Sequence, residues 1–442
     1  KKNKYEMPKY GIKMATGTGK TWVMHALLIW QYLNAKYELD KSGKFTKNFL
    51  LVAPGIIVYD RLLDAYLGKE DINQERHFDE SDFYKFKELF IPSQYRDDVF
   101  GFVQNSVARK QEIGNKVTGD GLIAIANWHL FLDKEEKENN TGSPLDDPDL
   151  IINELLPLAP GISGGNTLDL LDIKYLGSKE TDFLSNLSDL MVINDEAHHI
   201  HENKVYGEVK EVEWQKSLNK ISENKGTKFI QVDFSATPYD VTGSGQKRVK
   251  HYFPHIIVDF DLKDAIRKGL VKIIAIDKRK EITDISLDYN AIREGNNVIG
   301  LSEGQKLMIR AGLNKLKILE KNFIDFTKDK NGISDKYPKM LIMCEDTKVT
   351  PFVTEFLNEE GWSDEDVMRV DSDRKGDISE SEWLELKQKL FNIDKHEKPK
   401  IIVSVLMLRE GFDVSNICVI VPLRSTSAPI LLEQTIGRGL RL

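Results

Sequence analysis

The run Ala15-Thr16-Gly17-Thr18-Gly19-Lys20-Thr21, followed at once by an amphipathic stretch over Trp22–Tyr37, restricts this chain more than any other feature. Glycine has no side chain, so backbone N–H groups can come close to a polyphosphate. Thr16, Gly17, Thr18 and Gly19 therefore read as a phosphate cradle at the N-terminus of a helix. Lys20 would bring positive charge to the β- and γ-phosphates of ATP, and the Thr21 hydroxyl would ligate Mg²⁺. Met14 stands where the strict G-x-x-x-x-G-K-T pattern has its first glycine. A plain glycine turn before a helix is the alternative, and it gives no reason for the Gly-Lys-Thr order.

Such a loop belongs between a strand and a helix of a parallel sheet, and the rest of the chain has the matching pattern. Short apolar, β-branched runs end in polar or glycine turns: Phe49–Ala53, Gly121–Ala126, Leu190–Asn194 and Lys228–Phe234, then Lys339–Cys344, Asp366–Val370, Lys400–Leu406 and Ile417–Pro422. Near-continuous apolar strands alternating with helices are what a sheet buried on both faces requires. Helices are expected at Trp22–Tyr37, Thr350–Glu360, Glu380–Phe391 and Ser427–Gly437. The fold class is α/β. One series of strands covers residues 1–258, with an oversized, loop-rich interval at about 60–187 read as an insertion; a second covers 337–442. Residues 259–336, with helices expected over Asp261–Lys268 and Leu301–Lys328, read as linker and bridging elements.

Composition narrows the class. No apolar run approaches the roughly 20 residues of a membrane helix, and the basic start, Lys1 to Met14, has no apolar core after it. Cys344 and Cys418 are too few for a disulfide scaffold or a four-cysteine zinc site, which suits a reducing, cytoplasmic setting. With 62 Lys plus Arg against 70 Asp plus Glu, the net charge of −8 excludes a general basic coat but not a local basic groove.

A second chemical cluster follows the apolar run Leu190–Asn194: Asp195-Glu196-Ala197-His198. Carboxylates at the C-terminal end of a parallel strand sit where ligands of α/β sheets bind. Asp195 can hold Mg²⁺ through water, and Glu196 can act as general base on an attacking water. His198, His199 and His201 suggest zinc, but no cysteine or further histidine stands at metal spacing beside them.

In this order, these residues resemble the superfamily 2 helicases and translocases of the DEAH type. The resemblance implies two tandem RecA-like P-loop domains with an insertion in the first, and an ATPase driven by nucleic acid. Ser235-Ala236-Thr237 resembles the motif coupling ATP state to nucleic-acid grip, a task His198 would share. Arg409-Glu410-Gly411-Phe412-Asp413 resembles motif V, with Gly411 and Asp413 near ATP. Gln434-Thr435-Ile436-Gly437-Arg438-Gly439-Leu440-Arg441 resembles motif VI, where Gln434 would contribute to catalysis and Arg438 and Arg441 would be arginine fingers neutralising charge on the γ-phosphoryl group. Strand contacts would fall on Pro54 and Gly55, on Asn127, and on the basic segment with Lys247 and Arg248.

Within that superfamily the stretches Met14–Thr21, Val192–His199, Asp233–Tyr239, Leu301–Leu319 and Val403–Val414 are similar to the restriction subunit of type III restriction enzymes. That resemblance implies duplex DNA as track and a methyltransferase subunit as partner; RNA is the other polymer such motors use. It also places an adenine-reading segment before Lys1 and a nuclease after Leu442, so the chain is expected to hold a motor without a cutting site. The one internal near match to a nuclease core, Pro148-Asp149 with Glu154, has Leu156 where lysine is needed. Asp371 to Glu382 nearly fits a calcium loop, but Lys375 puts a cation at a ligand position and Val367–Val370 reads as a strand, not a helix. The alternatives are a repair, defence or RNA helicase unrelated to restriction, and an ATP-binding switch that hardly hydrolyses.

Overall fold

A computed structural model of the chain describes residues 7–37, 43–53, 56–70, 75–127, 180–197, 204–205, 208–209, 213–242, 249–253, 255–275, 287–295, 297–327, 336–370, 393, 396–405, 416–423 and 440. The chain divides into two compact units: Lys1–Ile12, Thr21–Gly55 and Tyr59–Ile257 make up the first, and Lys13–Lys20, Ile56–Val58 and Val258–Leu442 the second.

The first sheet has seven strands: β1 (Lys9–Met14), β2 (Asn48–Ala53), β3 (Val107–Arg109), β4 (Leu122–Asn127), β5 (Leu190–Asn194), β6 (Phe229–Ser235) and β7 (Ile256–Phe260). Their spatial order is β7-β1-β6-β5-β2-β4-β3. β2 pairs in parallel with β4 and β5, β3 with β4, and β5 with β6. Every residue of β5 is buried, as is β2 from Phe49 to Ala53; helices cover both faces, so neither face has water to reward a polar side chain.

The strands expected from apolar runs appear where expected, with ends shifted by about one residue. β1 and β7 have weaker signatures. β1 reads Lys-Tyr-Gly-Ile-Lys-Met, and Gly11 lets β7 approach: a Cβ there would lie 3.3 Å from Ile256 Cγ1. The interval from Asp60 onward holds the rest of α2 (Ile56–Leu67), α3 (Arg96–Ser106) and edge strand β3, which join this sheet and its layers. Residues 128–179 lie outside the described residues. α1 (Lys20–Tyr37) buries Met24, Leu28 and Tyr32, spaced by one helical turn, and Tyr32 stacks on Phe102 of α3 at 3.9 Å. α4 (Glu213–Ser222) turns Gln215, Leu218 and Ile221 inward.

Within the second unit, α5 (Leu262–Arg267) is followed by the long helix α6 (Glu303–Thr327). Its four-stranded parallel sheet comprises β8 (Lys339–Met343), β9 (Val367–Val370), β10 (Ile401–Ser404) and β11 (Ile417–Pro422), in the order β9-β10-β8-β11. α7 (Thr350–Glu359) starts with Pro351 in its first turn, where a missing N–H costs nothing, and buries Val353, Phe356 and Leu357. The sequence pattern places α6 in a bridging segment; its packing makes it a layer of the second sheet. Ile309, Leu313 and Leu316 join one core with Met340, Ile342, Val419 and Val421. Gly312 permits this approach, since a Cβ there would meet Val421 Cγ2 at 2.5 Å. β9 is a strand, as expected ahead of the calcium-like loop. That loop and the expected helices at Glu380–Phe391 and Ser427–Gly437 lie outside the described residues. Among the described residues, no helix is long and apolar enough to cross a membrane.

Candidate nucleotide site

β1 runs into the cradle at Met14, and the chain turns through Gly17 at φ 80° and Gly19 at φ 92°. L side chains rarely adopt such angles, so these two glycines are needed for the turn itself. The Thr18 backbone N–H and hydroxyl both donate to the Ala15 carbonyl, at 3.3 and 2.6 Å, closing the loop upon itself. α1 opens at Lys20, which puts its first N–H groups and positive dipole end at the loop. Thr16 and Lys20 are both buried. The Thr21 hydroxyl accepts a hydrogen bond from the guanidinium of Arg61 (Nη2, 3.0 Å) on α2. Arg61 belongs to none of the sequence motifs. Its only signal was a lone arginine among the apolar residues of that helix.

At the end of β5 the Asp195 N–H donates to the Val52 carbonyl of β2 at 3.0 Å, and the residue is only 2% exposed. One Asp195 carboxylate oxygen (Oδ1) accepts the Glu196 N–H at 3.0 Å, and Glu196 sits at φ 46°. A non-glycine residue in that left-handed region costs roughly 1–2 kcal/mol, and strain of this kind persists only where the surroundings hold it. The turn thus carries the acid pair on a constrained backbone. The Thr21 hydroxyl and the Asp195 carboxylate are hard oxygen donors, the set that Mg²⁺ takes together with phosphate oxygens and water. Among the described residues no group of three or more His, Cys, Asp or Glu could hold a metal by itself. His198, His199 and His201, on which a zinc site would rest, lie outside the described residues.

β6, between β1 and β5 in the sheet, delivers the third motif. Ser235 is fully buried and its hydroxyl oxygen accepts the Thr237 N–H at 3.1 Å; the Thr237 carbonyl accepts the Tyr239 N–H at 2.8 Å. Asn127 closes β4, in register with Ala53 at the end of β2, and its side-chain carbonyl is buried without a hydrogen-bond partner among the described residues. The glycine loop and Asp195–Glu196 thus follow strands of one sheet, and Ser235 and Asn127 end two others of it; ligands of α/β sheets bind at such C-terminal strand ends. Pro54, Gly55, His198, Lys247, Arg248, Gly411, Asp413, Gln434, Arg438 and Arg441 lie outside the described residues. In the second unit Leu440 is packed with Ala265 and Val271, and its carbonyl accepts the Lys272 N–H at 2.8 Å.

Behind the loop, His25 of α1 is wholly buried against the rings of Phe83, Tyr66, Trp22 and Phe90. Burial lowers its pKa, although Asp82, 3.7 Å from Nε2, pulls the other way.

A family model described as type III restriction enzyme, res subunit, matches residues 1–240. No curated protein matches the chain. Among solved structures, the Mycobacterium smegmatis helicase Lhr bound to ssDNA and AMP-PNP is 14% identical with a TM-score of 0.44, the match covering 97% of this chain and 42% of that one. A DEAD-box helicase bound to ssRNA and UDP-BeF is 13% identical with a TM-score of 0.47, covering 99% and 65%. A fragment of a putative HsdR subunit of a type I restriction enzyme from Vibrio vulnificus YJ016 is 15% identical with a TM-score of 0.41, covering 98% and 57%. This chain therefore spans 42% to 65% of the length of these structures.

Proposed function

The chain belongs to the type III restriction enzyme res subunit family, and on that premise we propose that it is an ATP-driven DNA translocase core working in a restriction system. Residues 1–258 and 337–442 are assigned to two RecA-like domains, with α6 from the segment between them packing on the second sheet and an insertion within about 60–187 of the first, outside its sheet strands. The observation that carries the reading is the sheet order β1-β6-β5, which brings phosphate loop, Ser-Ala-Thr and acid pair to adjacent strand ends.

In this reading the N–H groups of Thr16 to Thr21 and the Lys20 ammonium bind and orient the polyphosphate. Thr21 and Asp195 would hold Mg²⁺, which supplies charge neutralisation on the phosphoryl oxygens. Glu196, on its strained turn, would take the proton of an attacking water as general base. Ser235, Thr237 and His198 relay the state of the site to the polymer grip. Gly411 and Asp413 complete the ATP site. Gln434 assists the chemistry, and Arg438 and Arg441 neutralise charge on the transferred group. Pro54, Gly55, Asn127, Lys247 and Arg248 contact the nucleic-acid backbone, and a methyltransferase subunit supplies target recognition. The setting is cytoplasmic.

The test is steady-state ATP hydrolysis with duplex DNA, single-stranded DNA and RNA side by side, for wild type, Lys20→Ala and Glu196→Gln. Stimulation by duplex DNA, and a loss of about 10² or more in kcat for either variant with unchanged circular dichroism, is expected. Stimulation by RNA alone moves the protein to RNA motors. Wild-type-like turnover by either variant refutes the site assignment, and ATP binding without turnover in wild type makes it a switch.

A further inference from the structure

Five side chains used by no step above form a buried polar chain through the first unit. They are Lys9 on β1, Asn194 on β5, Gln231 and Asp233 on β6, and Gln215 on α4, none more than 3% exposed. Lys9 Nζ donates to Gln215 Oε1 at 2.6 Å and lies 3.5 Å from Asp233 Oδ2. The Gln231 amide nitrogen donates to Asp233 Oδ1 at 2.9 Å and to Gln215 Oε1 at 3.1 Å. The Asn194 amide nitrogen donates to Asp233 Oδ1 at 2.6 Å. Asn194 stands directly opposite Asp233 in the β5–β6 register.

Stability alone gives no reason for this arrangement. Desolvating an ion pair costs several kcal/mol, and well-packed apolar residues of the same volume are commonly as stable or better. β2, next to β5, is fully apolar from Phe49 to Ala53. The polar chain instead spans the three neighbouring strands that lead to the phosphate loop, to Ser235 and to the acid pair. Directional hydrogen bonds fix how adjacent strand ends align, whereas apolar contacts tolerate small slides. Asn194 is covalently the residue before Asp195, and the strained Glu196 turn needs a base that does not move. Among the described residues, the bond to Asp233 is the side-chain anchor of Asn194, whose side-chain carbonyl is buried without a partner.

We infer that Asn194, Asp233 and Lys9 are positioning residues for hydrolysis: Asp233, clamped by Lys9 and Gln231, holds Asn194 and through it the Asp195–Glu196 turn. The inference rests on the ATPase reading above and deepens it.

The deciding variant is Asn194→Val, which replaces the amide by a small apolar side chain, suits a strand and leaves Asp233 with Lys9 and Gln231. A second, Lys9→Met with Asp233→Asn, removes both charges together so that neither is left buried alone. ATP turnover, ATP KM and thermal midpoint are measured for each and for wild type. The expected result for Asn194→Val is a midpoint equal to or above wild type, KM within about threefold, and kcat lowered by about tenfold or more. The double variant, if it folds, should show the same split. A kcat for Asn194→Val within about twofold of wild type overturns the inference, as does a loss accounted for by its unfolded fraction. Wild type that fails to hydrolyse ATP refutes the motor reading itself, before any variant is compared.

Discussion

Replacing Gly312 by alanine should weaken the second unit, although the same change on a solvent-facing helix surface strengthens it by about 1 kcal/mol. The new Cβ would lie 2.5 Å from Val421 Cγ2 on β11 and 2.7 Å from Met340 Cε on β8. Carbon atoms rest at about 3.5–4.0 Å, so each contact is about 1 Å too close. The Met340 terminal methyl can swing aside cheaply. Val421 cannot: its branched Cβ leaves little rotamer choice, and the residue is buried. Relief must come from displacing α6 or forcing Val421 off its rotamer, at about 1–3 kcal/mol. Set against the propensity gain, the net loss is about 1 kcal/mol. Val421→Ala deletes a clashing methyl, so the double variant should be more stable than the sum of the singles predicts by about 1–2 kcal/mol. Urea unfolding of wild type, both singles and the double, with hydrogen exchange read at the β8 and β11 amides, measures the cycle in the relevant unit. A more stable Gly312→Ala protein, or strict additivity, would refute the close-packing argument.

Two pH dependences follow from buried groups of the first unit. Burial pushes the Glu180 carboxyl up to about 7, against the opposing pull of Lys110, so the folded protein holds this proton to higher pH than the unfolded chain. Stability from Glu180 is complete below about pH 4.5 and lost as pH rises through about 7, by on the order of 3 kcal/mol. Glu180→Gln should match wild type at pH 4 and exceed it at pH 8 in thermal midpoint; an equal difference at both would contradict this. His25 has the opposite sign: its folded pKa lies below 6.5, so its stability is present above that value and lost as pH falls. His25→Phe fits the surrounding rings of Trp22, Tyr66, Phe83 and Phe90 and should flatten the loss of melting temperature between pH 7.5 and 5.5. A wild-type slope in the variant would count against a buried neutral histidine.

The parts of this molecule legible in advance share a cause. Strands buried on both faces must be apolar at nearly every position, so Phe49–Ala53 and Leu190–Asn194 announce themselves in the sequence. Asp195, Glu196 and Ser235 stand at the ends of such runs and could be placed at strand ends from the sequence, whereas Lys20 and Thr21 are marked by the glycine loop that precedes them. β1 hid because its lysines break the apolar pattern, and Lys9 is tolerable inside because groups such as Asp233 and Gln215 meet it from far along the chain. α6 hid its role because its burial depends on Gly312 facing two strands that come later in sequence.

By itself the sequence determined where the apolar strands lie and which residue types stand at their ends, because periodicity, glycine freedom and side-chain type are properties of near neighbours in the chain. Only the tertiary structure decided the strand order β7-β1-β6-β5-β2-β4-β3, the Arg61 contact to Thr21, and the joining of Lys9, Asn194 and Asp233 in one buried polar chain. Those features depend on pairings between distant segments. Their energy exists only after the chain has closed on itself, so no local pattern records them.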